Sequence, residues 1–203
     1  MKHLTILVPQ GENNLSSIVG AYKIFTRANE YQKSLGKKEV FQIQLAGLSK
    51  RVSFYDGLFS VKPHASIHDI SKTNLVIIPS LNHQYAQAMK KNKPMVEWIS
   101  NQYHQGAEVA SICPGAFLLA STGILNNRQC STHWSAANSF GALFPEVNLQ
   151  PDSLITDEQG IYTNGGAYSF LNLIIYLVEK CVTLEIPIKS ILILKHDPKL
   201  SAA

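Results

Sequence analysis

Two residues in this sequence have the side chains and setting that nucleophilic chemistry needs. Cys113 stands in Ser111-Ile112-Cys113-Pro114-Gly115, where one short apolar run stops and another begins. Small residues two places on either side of a nucleophile permit a sharp strand-to-helix turn, the shape of a nucleophile elbow. A helix starting just beyond the sulfur aims unpaired N–H groups and its dipole at it. A thiol in that setting can fall from about 8.5 to a pKa of about 3.5–7.5, which would make Cys113 a thiolate at neutral pH. A cysteine nucleophile usually needs a base. His133, in Cys130-Ser131-Thr132-His133-Trp134, is the nearest one in the chain. Each residue also has an ordinary reading. Free cysteine is among the most buried residue types, and His133 could cap a helix or pack beside Trp134.

Pro114 argues against acyl transfer. In an elbow, the N–H of the residue after the nucleophile donates to the oxyanion. Proline has no N–H, and losing one such donor costs about 10²–10³ in rate. Proline does suit the first position of a helix. The residue therefore serves the fold while impairing the chemistry. His64, His68, His83 and His104 lie in polar or loop-like stretches and read as surface. Neither C-x₂-C nor H-E-x₂-H appears, and no metal or cofactor is expected.

These residues need elements to position them. Leu4 to Val8, Val40 to Leu45, Leu75 to Ile78 and Glu108 to Ile112 read as short buried strands. Leu15 to Tyr31 has helical spacing, with Asn13 or Asn14 as its N-cap. Arg51 to Val61 is turn-rich around Asp56-Gly57 and suits a small hairpin. Residues 82–104 look helical but contain Pro94, which predicts two helices with a break near Asn92. Pro114 to Ser121 is a helix that Gly123 ends. Leu154 to Thr156 and Ile161 to Thr163 form a hairpin, and Ala167 to Val182 is a final apolar helix. Ile188 to Lys195 adds one more helix. Alternating strands and helices imply βαβ units, a mainly parallel sheet and helices on both faces. In such a sheet ligands bind beyond the carboxyl ends of the strands, and Cys113 lies at such an end.

Composition narrows the classes. The chain has 203 residues, 45% of them apolar and 16% charged, with a net charge of +4. The positive residues do not form one block. Lys90, Lys91 and Lys93 cluster, and Lys37 and Lys38 make a smaller group, both read as solvated rather than as a nucleic-acid face. Three cysteines, an odd and sparse count, argue against a disulfide framework. The N-terminal apolar stretch is too short for a signal peptide, and no run approaches the ~18 apolar residues of a membrane span. The expectation is a soluble, cytoplasmic protein.

The segment Ser111 to Trp134, SICPGAFLLASTGILNNRQCSTHW, resembles the ThiJ/PfpI superfamily, whose fold is class I glutamine-amidotransferase-like. It is most similar to the branch that forms the N-terminal domain of AraC-type transcription regulators. That branch carries Cys-x-Gly-Ala-Phe-Leu-Leu-Ala, a Gly-Leu-Leu-like turn and Thr-Thr-His-Trp. Here these stand as Cys113 to Ala120, Gly123-Ile124-Leu125 and Ser131 to Trp134. Phe144-Pro145 and Thr163-Asn164-Gly165-Gly166 agree too. The resemblance implies a three-layer α/β sandwich with a flavodoxin-like sheet and a nucleophile elbow at Cys113. Residues 1–183 would be the sensor domain, and 184–203 a tail or linker towards a helix-turn-helix domain that the chain does not contain.

The resemblance also implies a small-molecule effector, such as an amine or amino-acid derivative, over Cys113. Ser16, Pro114, Gly115, Trp134, Gly165 and Gly166 would line its site. A homodimer is implied, with DNA contacted only through the helix-turn-helix region. Some enzymes of the superfamily hold the cysteine's proton with an acidic residue after the first strand. Here that place reads Leu15-Ser16-Ser17, and many members carry an acidic residue where this chain has Asn172. With Pro114, these departures favour sensing over catalysis. A cysteine-dependent hydrolase or hydratase, or a redox sensor that oxidises Cys113 with Cys130 as resolving thiol, stand as alternatives.

Overall fold

The computed structural model describes residues 1–11, 13–166 and 170–182. The expected helix over Ile188 to Lys195, the tail over 184–203 and the start of the last helix at Ala167 lie outside them. Strand β1 (Lys2–Val8) leads into helix α1 (Leu15–Ser34), then β2 (Phe41–Gly47). Strands β3 (Val52–Phe54) and β4 (Phe59–Val61) form the expected antiparallel hairpin, apart from the main sheet. Two-residue β5 (Ala65–Ser66) follows, then β6 (Leu75–Ile78), α2 (Tyr85–Lys91) and α3 (Lys93–His104). Strand β7 (Glu108–Ile112) enters a 3₁₀ turn, Cys113–Gly115, and α4 (Ala116–Ala120). The rest is β8 (Gln129–Cys130), α5 (Ala137–Leu143), β9 (Asn148–Leu149), β10 (Ile155–Glu158), β11 (Ile161–Asn164) and α6 (Phe170–Cys181).

Among the described residues, seven strands make the sheet, in the order β10-β11-β7-β6-β1-β2-β5. All neighbours are parallel except β10 against β11. The strands read as continuous apolar runs because both faces are covered. On β6 the alternation is visible. Leu75 and Ile77 pack with Ile18, Phe25, Leu173 and Leu177 of α1 and α6. Val76 and Ile78 face Met95, Ile99, Phe117 and Phe140 of α3, α4 and α5. The result is the three-layer α/β architecture that the sequence implied, with no helix among the described residues long and apolar enough to cross a membrane.

Helix boundaries follow local chemistry. Asn14 caps α1, its side chain accepting from the Ser16 N–H at 3.0 Å. Asn92 sits at the break between α2 and α3, and Pro94 falls in the first turn of α3, where its missing N–H costs nothing. Gly123, at φ +79°, closes the turn after α4 with its N–H on the Ala120 carbonyl. The helix expected over Pro114 to Ser121 is divided. Its first turn is 3₁₀, and only five residues are α-helical. Sequence periodicity did not reveal β5, β9 or α5.

Candidate functional site

Cys113 occupies the strained turn between β7 and α4. Its φ is +54°, in the left-handed region that a non-glycine residue enters at a cost of order 1–3 kcal/mol. Surrounding contacts hold it there. The Cys113 N–H donates to Asn164 Oδ1 at 3.0 Å, and the Cys113 carbonyl accepts from Thr132 Oγ1 at 3.3 Å. Both partners are fully buried. Gly115 is required by packing. A Cβ there would lie 2.5 Å from the Pro79 carbonyl oxygen and 3.0 Å from that of Ile78. The turn therefore passes directly over the end of β6.

That position has a topological reason. From β1 the chain fills one side of the sheet with β2 and β5, then crosses to place β6 and β7 on the other. The switch point lies between β1 and β6, where open α/β sheets leave a crevice beyond the strand ends. A cavity of about 150 Å³ opens there, a volume that would hold a molecule of about benzene's size. Asn14 comes from the β1 side. Ser80, Asn82, His83 and Tyr85 follow β6, Cys113 and Pro114 follow β7, and His133 and Ser135 come from the segment after β8.

Of the residues expected around a ligand, Cys113, Pro114 and His133 line this cavity, and the others have different tasks. Ser16 is exposed on the first turn of α1, and Asn14 takes the place expected for it. Gly115 faces the backbone of Pro79, as above. Gly165 is equally crowded, its hypothetical Cβ 2.9 Å from the Ser153 carbonyl oxygen and 3.1 Å from that of Thr132. Gly166 is half-buried, and its carbonyl accepts from Asn164 Nδ2 at 3.4 Å. Trp134 is 75% exposed, its ring 5.4 Å from that of His133 and outside the cavity.

The electrostatics also differ from the thiolate expectation. Cys113 is only 4% exposed, and burial pushes its thiol up to about 12. Charge on sulfur is costly without water or a counter-ion. The expected helix dipole is weak here, because α4 is short and the Ala116 N–H already turns back to the carbonyls of Cys113 and Pro114. At neutral pH the group is a thiol. Two of the turn's residues offer no free N–H donor: Asn164 takes that of Cys113, and Pro114 has none.

His133 is oriented away from base duty. The Ser135 N–H donates to its Nδ1 at 3.2 Å, and the Ser135 hydroxyl lies 2.7 Å from the same atom. An amide can only donate, so Nδ1 accepts and the neutral ring carries its proton on Nε2. A general base would need Nε2 bare. His133 thus caps the 3₁₀ turn Trp134–Ala136 while also lining the cavity.

Tyr85 is the largest contributor that the sequence did not suggest. Its ring stacks on Phe117, centroids 4.0 Å apart at 13°. Burial and the neighbouring Cys113 both raise its phenol pKa. His83, read as surface, is exposed and still lines the cavity. The available signal was the rule already applied to Cys113. Pro79 ends a buried strand, so the Ser80-Leu81-Asn82-His83 stretch beyond it belongs to the same crevice.

Comparison with known proteins agrees with this geometry. The chain is 21% identical over 166 residues to the HTH-type transcriptional regulator GbdR of Pseudomonas aeruginosa, covering 82% of this chain and 43% of that protein. It thus spans less than half the length of that relative. It is also 21% identical over 127 residues to the isonitrile hydratase of Pseudomonas putida, covering 62% of this chain and 53% of the enzyme. A crystal structure of a candidate transcriptional regulator from Vibrio parahaemolyticus superposes with a TM-score of 0.77 at 25% identity, over 88% of this chain and 91% of that one. The DJ-1/PfpI family model matches residues 18–179. A strained cysteine turn at the switch point of a mainly parallel sheet and that match lead to one conclusion: the chain belongs to the DJ-1/PfpI family.

Proposed function

We propose that this chain is the ligand-sensing domain of an AraC-type transcriptional regulator and that a small metabolite binds in the cavity over Cys113. The observation that carries the reading is a formed cavity around a disarmed cysteine: a buried thiol, a turn without free donors at Cys113 and Pro114, and a histidine whose Nδ1 is already an acceptor. The regulators among its relatives support the same reading. The effector must bind one conformation better than another to shift the regulator. Asn164 offers the connection. It grips Cys113 at the cavity floor and ends β11, which precedes α6, the last described helix. DNA contact belongs to a helix-turn-helix domain outside these residues, and the working unit is a homodimer.

A second reading, a cysteine-dependent hydratase or hydrolase, has one observation in its favour: strained Cys113 and His133 line the same cavity. One experiment separates the two. Thermal shift with a panel of amino acids, small amines and small carboxylates is run on the wild type and on Asn82→Trp, which fills the cavity from a half-buried position. The sensor reading expects at least one compound to stabilise the wild type and not the variant. Turnover of an isonitrile or amide by the wild type, lost in Cys113→Ala, would replace it with the enzyme reading.

A further inference from the structure

A second cavity, of about 360 Å³, lies at the other edge of the sheet. Tyr103 and His104 from the end of α3, Thr122 and Asn126 from the turn after α4, and Arg128 line it. Helix α3 feeds the start of β7, so this is the edge where strands begin, opposite Cys113.

Arg128 is half-buried and fixed in place there. Its Nη1 donates to the Tyr103 hydroxyl, and its guanidinium carbon lies 5.4 Å from that ring's centroid. The Tyr103 hydroxyl donates onward to the Gln159 carbonyl at 3.1 Å, so its own proton is used. The side-on pair of the guanidinium, Nε–H and Nη2–H, has no acceptor among the described residues. No carboxylate of the described residues reaches ion-pair distance either. The ion pairs among the described residues are Lys33–Glu39 and Lys180–Asp157. Two acidic groups that touch neighbouring residues are engaged elsewhere. Glu146 takes the Asn126 amide, and Glu158 takes the Gln129 N–H at 2.8 Å.

A pre-oriented guanidinium with its bidentate edge open, and no counter-ion among the described residues, matches two oxygens of a carboxylate or phosphate group. We propose that Arg128 heads a second ligand site, specific for a carboxylate or phosphate group, at the sheet edge opposite Cys113. The site is independent of what the Cys113 cavity binds.

The test uses the full chain labelled with ¹⁵N, titrated separately with sodium acetate and sodium phosphate at ionic strength held constant with chloride. The Arg128 Nε–Hε signal and the amides of Thr122 to Arg128 should shift and saturate with at least one anion. Acetate alone identifies a carboxylate site and phosphate alone a phosphate site. Arg128→Lys keeps the charge but loses the fork, and should bind about tenfold more weakly. Tyr103→Phe should also weaken binding by freeing the guanidinium, and it keeps the proposal testable if the Arg128 variant fails to fold. Non-saturating shifts with both anions, or unchanged affinity in Arg128→Lys or Tyr103→Phe, would overturn the proposal.

Discussion

At the scale of single residues, two glycines behave oppositely, and the difference locates the constraint on the site. Gly115 has no room for a methyl group because the backbone of Pro79 is in the way. Backbone cannot yield as a side-chain tip can. Gly115→Ala should destabilise the fold by about 1–3 kcal/mol or more, read as a lowered urea midpoint. Gly141, inside α5, has nothing within 4 Å of its hypothetical Cβ. Gly141→Ala should instead stabilise by about 0.5–1 kcal/mol, because alanine loses less entropy on entering a helix. A Gly115→Ala variant as stable as the wild type would mean that the turn does not pass over β6 as described. The sequence marks Gly115 as the small residue two places after Cys113 in the elbow pattern. It could not tell a glycine that admits a ligand from one that admits a carbonyl oxygen, because Pro79 is 36 residues away in the chain.

At the scale of elements, Asn92 joins parts that the sequence left separate. It is fully buried between α2 and α3. Its Oδ1 accepts from the Gln10 N–H at 2.7 Å, and its Nδ2 donates to the carbonyls of Gln10 at 2.9 Å and Ala88 at 2.8 Å. It therefore ties the helix break to the turn after β1, beside the cavity. Asn92→Ala leaves buried groups unpaired, each worth about 1–3 kcal/mol. It should speed amide exchange at Gln10, Gly11 and Asn14 while leaving β10 and β11 protected. Equal acceleration everywhere would indicate global destabilisation instead of a local tie. The break itself was legible, because Pro94 cannot lie deep in a helix. The strands β1, β6 and β7 were legible as apolar runs closed by proline or the Cys113 turn. Strands β5 and β9 have two residues each, too few to show a period. Chain order points to Ser16 at the start of α1, whereas the cavity is lined by Asn14, the residue that caps the helix.

At the scale of the whole molecule, the three cysteines couple the fold to alkaline pH. Burial raises Cys113 and Cys130 to about 12, and it raises Cys181 as well. An unfolded chain ionises its thiols near 8.5. Above that pH the unfolded state loses protons that the native state keeps, so stability falls as pH rises. Below it, this contribution is fully present. Each buried thiol should remove up to about 1.4 kcal/mol per pH unit between roughly pH 9 and the folded pKa. The urea midpoint should therefore drop steadily from pH 8 to 10. Cys130→Ala should show a shallower slope, and an identical slope would contradict the assignment. The same burial sets the charge of the sulfur in the cavity, and no sequence pattern reports it. The elbow motif specifies the turn; the packing of β7, β11 and the segment after β8 decides whether the sulfur carries charge.

On the proposed reading, Cys113 marks a binding cavity as a neutral thiol. The most direct test is the rate of Cys113 alkylation by iodoacetamide from pH 5 to 10, followed by peptide mass in the native chain and in the urea-unfolded chain. The native rate should stay below the unfolded rate throughout and still be climbing at pH 10, as a thiol held near 12 requires. A native rate that exceeds the unfolded rate at pH 6 and levels off with a midpoint in the range of about 3.5–7.5 would contradict the account and make Cys113 an activated nucleophile.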